Sequence, residues 1–165
     1  MNHQRMLSLD GIIVVWFFLL GTCIGSFLNV VVYRLPRGES LLRPGSRCPC
    51  CNHSIRPWDN IPIVSWIFLR GRCRDCGSCI SGRYPMIEFV VGVWFGVSSL
   101  LALNAAPTWR ISPWIFSAMI AFFGAMFFAT AQIVQSGVKV PRILRWALLI
   151  ASACTLFVLL SLIST

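Results

Sequence analysis

Four of the chain's eight cysteines stand in two Cys-x-x-Cys pairs. The first pair is Cys48 and Cys51, and the second, Cys73 and Cys76, follows after 21 intervening residues. Each pair bends the backbone so that two thiolates point the same way, and two such pairs supply the four sulfurs that zinc prefers. The spacing therefore predicts one tetrahedral zinc site.

Two further cysteines, Cys50 and Cys79, lie close to these pairs and could compete as ligands or pair with each other. The alternatives to a metal site are a disulfide-stapled loop and plain thiols. The compartment decides between them, because disulfides persist in oxidising surroundings and are rare in the cytosol.

The composition is that of a membrane protein. Of the 165 residues, 57% are hydrophobic and only 12% are charged, whereas charged residues make up about a quarter of a soluble domain. The net charge of +9 is concentrated, because nine of the 14 basic residues lie between Arg34 and Arg83. Such a cluster is typical of a cytoplasmic loop. A basic patch for nucleic acid in this loop is the alternative, but no nucleic-acid partner is expected.

Four apolar segments are long enough to cross a bilayer: 12–33, 85–105, 114–133 and 146–163. A cleaved signal peptide is the competing interpretation of the first. The stretch Leu20-Gly21-Thr22-Cys23 loosely resembles a lipoprotein cleavage site, but Thr22 stands where a smaller residue is expected, and the apolar run continues ten residues beyond Cys23. A retained anchor is therefore favoured. We therefore expect an all-α integral membrane protein with about four transmembrane helices and a four-cysteine zinc-binding loop domain between the first and second.

The basic residues also predict the orientation. The loops 34–83 and 135–145 hold twelve of them, whereas the N-terminus and the loop 104–113 hold two. Positive loops stay inside, so both basic loops should be cytoplasmic and both termini outside. In the reducing cytosol the paired cysteines should then be zinc ligands rather than disulfides.

Several small or polar residues stand inside the predicted spans. Gly21 and Gly25 have the spacing that lets two helices approach closely. An amide facing lipid is costly, so Asn29 should face a helix or a cavity, in either a structural hydrogen bond or a functional role. The Glu88 carboxylate could form an ion pair with Arg83, act as a functional group, or reach the membrane interface.

The segment between the cysteine pairs is too apolar for open water and too short to span a membrane. Pro62 suits the first turn of a short helix, with Asp59 or Asn60 near its cap. We expect this helix to lie on the membrane surface with Trp58 and Trp66 at headgroup level. The alternative is that it forms the core of the zinc module.

The residues from 20 to 90 resemble the type IV prepilin peptidases, in order and with similar spacing. The resemblance is carried by Gly25-Ser26-Phe27-Leu28-Asn29 through Arg34-Leu35-Pro36, by Asp59-Asn60-Ile61-Pro62 with Ser65-Trp66, by Arg70-Gly71-Arg72-Cys73, and by Arg83-Tyr84-Pro85 with Glu88. Members are inner-membrane enzymes of type IV pili and type II secretion. They cleave the basic leader of prepilins and pseudopilins on the cytoplasmic side, then methylate the new amino terminus with S-adenosylmethionine.

The resemblance implies a prepilin-peptidase-like domain at 1–103, with its cysteine loop linked to methylation through Gly71, and a remnant of the peptidase domain at 104–165. In that second half Val134 and Arg142 stand where the family has aspartates, and its Gly-x-Gly-Asp motif is absent. An aspartic peptidase needs two carboxylates that share a proton. We therefore expect no leader cleavage by this chain.

Three functions follow as hypotheses. The chain is a module that retains methyl transfer, a non-catalytic partner that binds prepilins or a full-length peptidase, or an inactive remnant. In the first two cases the acidic residues of the loop, Glu39, Asp59 and Asp75, would meet the basic leader of a prepilin.

Overall fold

The computed structural model of the protein describes the backbone of residues 3–105 and 113–135 and the single positions Arg142 and Trp146. Four α-helices occupy these ranges: α1 (His3–Arg34), α2 (Val64–Phe68), α3 (Arg83–Ala105) and α4 (Pro113–Gln135). Two short 3₁₀ turns, Leu35–Arg37 and Pro57–Asn60, lie between α1 and α2. Within the described ranges there are isolated β-bridges but no strand. The predicted helical class is confirmed for this part of the chain.

Two of the described helical segments are long and apolar enough to cross a membrane, Leu9–Arg37 and Arg83–Leu103. They coincide with the first two predicted spans. The third predicted span falls on α4, whose described apolar stretch, Ile120–Val134, is shorter. The fourth, at 146–163, lies outside the described residues except for its first position. The count of four spans and their orientation therefore stay predictions.

Glycines bring α1 and α3 almost into backbone contact. A Cβ added at Gly21 would lie 2.7 Å from the Cβ of Phe95, and one added at Gly25 would lie 2.8 Å from the Cα of Glu88. Side chains cannot fit at such distances, so only glycine allows the two helices to come this close. The structure thus shows the close approach that the spacing of these glycines predicts.

α4 packs across α3 through a line of alanines. The alanines recur every four residues, which places them on one face of the helix. Across from them, the indole Nε1 of Trp94 donates a hydrogen bond to the carbonyl of Ile120 at 3.2 Å. The buried cluster where α1, α3 and α4 meet consists of Leu28, Ile87, Val91, Phe95, Ala121, Ala125 and Ala129.

Polar contacts tie the helices together at the end where the loop between α1 and α3 begins and returns. The Asn29 Nδ2 atom donates to the carbonyl of Tyr84 at 3.4 Å, and the guanidinium of Arg83 contacts the side-chain oxygen of Gln132. At the end of α1, Arg34 donates to the carbonyls of Ser40 and Pro44 at 3.0 and 2.8 Å. The loop domain therefore leaves α1 and re-enters α3 at neighbouring points.

Candidate metal centre

The two cysteine pairs form turns with the same backbone pattern. In the first, the Asn52 amide donates to the carbonyl of Cys48 at 2.9 Å; in the second, the Gly77 amide donates to that of Cys73, also at 2.9 Å. Both donors have a positive φ, 58° at Asn52 and 70° at Gly77, a conformation that asparagine and glycine tolerate best. Each turn is closed by an isolated bridge, Arg47 with Ser54 and Arg72 with Cys79.

These turns bring the four predicted ligands together. The sulfurs of Cys48, Cys51, Cys73 and Cys76 all lie within 4.8 Å of one another, and the Cys48 and Cys76 sulfurs are 3.8 Å apart. Tetrahedral zinc with bonds of ~2.3 Å sets its sulfurs about 3.8 Å apart. The cluster therefore fits a zinc ion, and the chain presents four soft ligands in a compact arrangement that could hold a metal.

Ser78 tunes two of the thiols, and sequence reasoning missed it. Its hydroxyl lies 3.1 Å from the Cys76 sulfur and 3.5 Å from that of Cys48. Hydrogen bonding by Ser78 is the largest influence that lowers the pKa of Cys48 to about 6, and it also lowers the pKa of Cys76. A hydrogen bond with the backbone of His53 acts to lower the pKa of Cys51. Burial and hydrogen bonds with the other three thiols of the cluster outweigh it and raise the pKa of Cys51 to about 12.

The two remaining cysteines of the loop lie outside this cluster. Cys50 and Cys79 are exposed free thiols, and neither belongs to the group of four sulfurs. Their position agrees with the choice of ligands made from the Cys-x-x-Cys spacing. Among the cysteines that the structure describes, the four paired ones converge on a common centre.

Two ion pairs fasten the segment between the cysteine pairs to the second turn. The guanidinium of Arg74 binds both carboxylate oxygens of Asp59, at 2.8 and 2.6 Å, and this hydrogen bonding lowers the pKa of Asp59. Arg56 pairs with Asp75 at 3.3 Å.

The ion pairs change the interpretation of the loop's acidic residues. Asp59 and Asp75, which were expected to meet a basic leader, already neutralise arginines of their own loop. Glu39 is the third, and among the described residues its carboxylate makes no ion pair. The loop as folded therefore presents mainly positive charge.

The expected helix between the cysteine pairs is shorter and differently capped. Residues Pro57–Asn60 form a 3₁₀ turn, and α2 begins only at Val64, with Ile63 as its N-cap at φ 62°. The expected cap by Asp59 or Asn60 is wrong, because Arg74 holds the Asp59 carboxylate. The Ile63 amide instead donates to the Glu88 Oε2 atom at 2.7 Å.

This bond bears on the interpretations of Glu88. Glu88 is buried, with 8% of its surface exposed, and its carboxylate accepts the hydrogen bond of the Ile63 amide. It forms no ion pair with Arg83, whose guanidinium contacts Gln132. The observed contact is structural, and a functional role stays a prediction. The same holds for Asn29, whose bond to Tyr84 is the interhelical hydrogen bond that one of its two interpretations requires.

Gly71 lies beneath the ring of Trp66. A Cβ at this position would lie 2.9 Å from Cζ2 of the ring, and the backbone has φ 66°. The Trp66 indole Nε1 donates to the carbonyl of Ile80 at 3.0 Å, and the Ile80 amide donates to the carbonyl of Gly71 at 2.7 Å. The ring of Trp66 thus packs inside the zinc module, whereas Trp58 is 61% exposed.

Comparisons with known proteins identify this architecture. The chain is 48% identical over 96 residues to a prepilin leader peptidase/N-methyltransferase of Myxococcus xanthus, covering 58% of this chain and 29% of that protein. It is 42% identical over 118 residues to a type 4 prepilin-like proteins leader peptide-processing enzyme of Escherichia coli, covering 61% of this chain and 41% of that protein. The chain therefore spans well under half the length of these curated relatives.

No solved structure matches the chain. A family model does: that of the Bacterial Peptidase A24 N-terminal domain matches residues 19–102. These residues include Gly21 and Gly25 of α1, the four clustered cysteines, Gly71 and the buried carboxylate of α3. The match covers just over half of the 165 residues, so the chain belongs to the bacterial A24 peptidase family through its N-terminal domain.

Proposed function

We propose that this chain is a zinc-stabilised membrane module of a prepilin-processing system, one that supports N-methylation of processed pilins and does not cleave leaders itself. The observation that carries the proposal is the convergence of four cysteine sulfurs within residues 19–102. That region is the part shared with proteins named prepilin leader peptidase/N-methyltransferase.

Zinc in this site would be structural. Cys48, Cys51, Cys73 and Cys76 would fill all four positions of a tetrahedral ion, whereas catalytic zinc sites keep one position open for water or substrate. The ion would supply cross-linking rather than Lewis-acid chemistry. The chain's own contribution is to hold the two turns together, with the ion pairs of Asp59 and Asp75 acting across the same junction.

Methyl transfer requires little acid–base machinery. S-adenosylmethionine would supply an activated methyl group, which the neutral amine of the pilin would accept; the sulfonium would leave as a neutral thioether, and the proton of the new ammonium would pass to water. What the protein must supply is alignment of amine and methyl donor. This part of the proposal rests on the family resemblance and on the relatives' names, with Gly71 as the residue that the resemblance links to methylation.

The placement of the acidic residues supports the absence of peptidase activity. All five, Asp10, Glu39, Asp59, Asp75 and Glu88, lie in the described part of the chain. Asp59 and Asp75 form ion pairs with arginines, and the Glu88 carboxylate accepts a hydrogen bond from the Ile63 amide. Val134, at the position where the family has an aspartate, is 58% exposed near the end of α4. These contacts differ from those of a dyad in which two carboxylates share a proton.

The proposed location is the bacterial inner membrane, with the zinc loop in the cytoplasm and both termini outside. The two apolar helical segments and the concentration of arginines between them support it. The proposed partners are prepilins or pseudopilins and the surrounding lipid.

One pair of assays tests the proposal. The purified chain is incubated with methyl-labelled S-adenosylmethionine and a pre-cleaved pilin, and separately with uncleaved prepilin. We expect label on the pilin's amino terminus and no leader release. Transfer should disappear in Cys73→Ser, which breaks the cluster, and survive in Cys50→Ser, which leaves it intact. Absence of transfer together with retention of pilin on the immobilised chain would favour the non-catalytic partner instead.

A further inference from the structure

The short helix α2 has an inverted distribution of side chains for a helix exposed to water. Val64, Ile67 and Phe68 share one face by their spacing, and they are 54%, 63% and 85% exposed. The polar Ser65 points the other way, 8% exposed, with its hydroxyl donating to the carbonyl of Trp58 at 3.0 Å. The apolar face of α2 therefore needs a partner outside the loop.

The attachment of α2 to α3 fixes its depth. The Ile63 amide, at the start of α2, donates to the Glu88 carboxylate at 2.7 Å. Glu88 lies five residues beyond Arg83, the first residue of α3 and of its apolar segment. At 1.5 Å per residue this is roughly 7.5 Å along the helix axis. Interfacial helices bury their apolar face about 5–10 Å into the boundary between headgroups and acyl chains, so α2 lies at that level.

The charge next to α2 favours anionic lipid. Arg70 and Arg72 follow the helix directly, and both are exposed with no ion pair among the described residues. Their amides bond to the carbonyls of Ile67 and Leu69 at 3.0 and 3.1 Å, which keeps this segment in a turn against the end of the helix. Exposed arginines beside an apolar face match the chemistry of an anionic bilayer surface.

We propose that α2 is an interfacial anchor of the zinc module: its apolar face enters the headgroup boundary, and Arg70 and Arg72 bind anionic lipid headgroups. The inference rests on the proposed insertion of α3 in the membrane. To the proposed membrane location it adds the class of lipid, anionic, and the residues that would bind its headgroups. The anchor holds the zinc module against the membrane surface.

Photo-crosslinking in lipid nanodiscs tests the anchor. The full chain carries p-benzoylphenylalanine in place of Phe68, in discs of equal parts phosphatidylcholine and phosphatidylglycerol. A second chain carries it in place of Val97, a 45% exposed residue in the middle of α3. Both should give lipid adducts by mass spectrometry, and the adducts at residue 68 should be enriched in phosphatidylglycerol.

The role of the two arginines is tested by removing their charges and, as a control, one charge elsewhere in the loop. Arg70→Gln with Arg72→Gln should reduce the phosphatidylglycerol enrichment at residue 68, by roughly fivefold for each arginine at low salt. The double lysine variant should keep the enrichment. Arg47→Gln, which removes one charge from the first cysteine turn, should leave it unchanged. Zinc content per chain shows whether each variant retains the folded loop.

The outcomes separate the anchor from membrane insertion itself. Lipid adducts at Val97 but none at Phe68 would overturn the anchor and leave the membrane location standing. So would an adduct between residue 68 and a second protein chain. Losses that are equal per removed charge in Arg47→Gln and in the double Arg70 and Arg72 variant would overturn the role of these two arginines and show that the loop's total charge attracts the lipid. No lipid adduct at either position would overturn both proposals.

Discussion

The Glu88 Oε2 atom accepts a hydrogen bond from the backbone amide of Ile63 at 2.7 Å. The acceptor belongs to α3 and the donor precedes α2, so this one contact joins the apolar helix pair to the zinc module. Ile63 has φ 62°, a conformation that a β-branched residue rarely adopts without support from its surroundings. The carboxylate thus holds the loop at the point where its backbone turns into α2.

Replacing Glu88 should loosen this junction. Glu88→Leu removes the acceptor, and leaving a partly buried amide unpaired costs about 1–3 kcal/mol. Hydrogen exchange at the Ile63 amide should accelerate accordingly, by roughly tenfold or more. Glu88→Gln is the matched control, because its side-chain oxygen can still accept the bond. Unchanged exchange in Glu88→Leu would show that the contact does not hold α2.

The metal site predicts a sharp division among cysteines. Wild-type chain should bind one zinc, and Cys73→Ser should lose most of it, since a neutral hydroxyl replaces one thiolate of a closed four-sulfur site. Cys50→Ser and Cys79→Ser should bind as much zinc as the wild type, because both residues lie outside the cluster. Elemental analysis of purified protein measures this. Full zinc content in Cys73→Ser would refute the ligand assignment.

Alanine substitutions at three glycines should distinguish the stability cost of an unfavourable backbone conformation from the cost of a steric clash with the Trp66 ring. Gly77→Ala should cost about 1–2 kcal/mol, because φ is 70° and a Cβ there meets nothing within 4 Å. Gly71→Ala should cost more, since the added Cβ also lies 2.9 Å from the ring. Gly82→Ala, whose Cβ would lie 3.8 Å from the same ring atom, should be nearly neutral. Thermal unfolding of the three variants should give this order, and equal losses at Gly71 and Gly77 would argue against a steric role of the ring.

The orientation is tested by labelling introduced tags in the intact cell. Basic residues number twelve in the loops 34–83 and 135–145, against two at the N-terminus and in the loop 104–113. A tag in the zinc loop should therefore be shielded from an impermeant reagent, whereas a tag at either terminus should react. External labelling of the zinc loop would reverse the topology and make a disulfide structure the better interpretation of its cysteines.

Leader cleavage should be absent and should not return with one substitution. By the resemblance, Val134 and Arg142 stand where the family has aspartates. Val134 can neither donate nor accept a proton, and Arg142 carries a positive charge. Val134→Asp alone should stay inactive on prepilin, because an aspartic peptidase needs a second carboxylate to share the proton. Gel analysis of prepilin with the wild type, this variant and an active family member measures cleavage. Cleavage by the wild type, free of contaminating peptidase, would contradict the assignment.

Local features were predictable from the sequence. The convergence of the four paired cysteines followed from Cys-x-x-Cys spacing because each turn is built within a few residues. The contact of α1 with α3 followed from Gly21 and Gly25 because helical periodicity places both on one face. In both cases the chemistry and the geometry are encoded over one short stretch of chain.

Contacts between distant residues were not predictable. Asp59 was expected to cap a helix, but Arg74 competes for its carboxylate from across the fold. Glu88 was given three interpretations, and its observed partner, a backbone amide 25 residues away, has no side-chain signature. The segment of Trp66 was expected either at the membrane surface or in the core of the zinc module, and the contact of its ring with Gly71 has no sequence signature. Which polar group meets which depends on the folded path between them.

The glycine contact between α1 and α3 makes the zinc module an insertion in a helical hairpin. Because Asn29 bonds to Tyr84 beside the loop's two ends, the helices themselves close the loop, whatever the loop contains. The entropy of closure then changes slowly with loop length, by about 0.6 kcal/mol for each doubling. Such a module can be lengthened, shortened or exchanged in evolution without rebuilding the apolar pair that carries it.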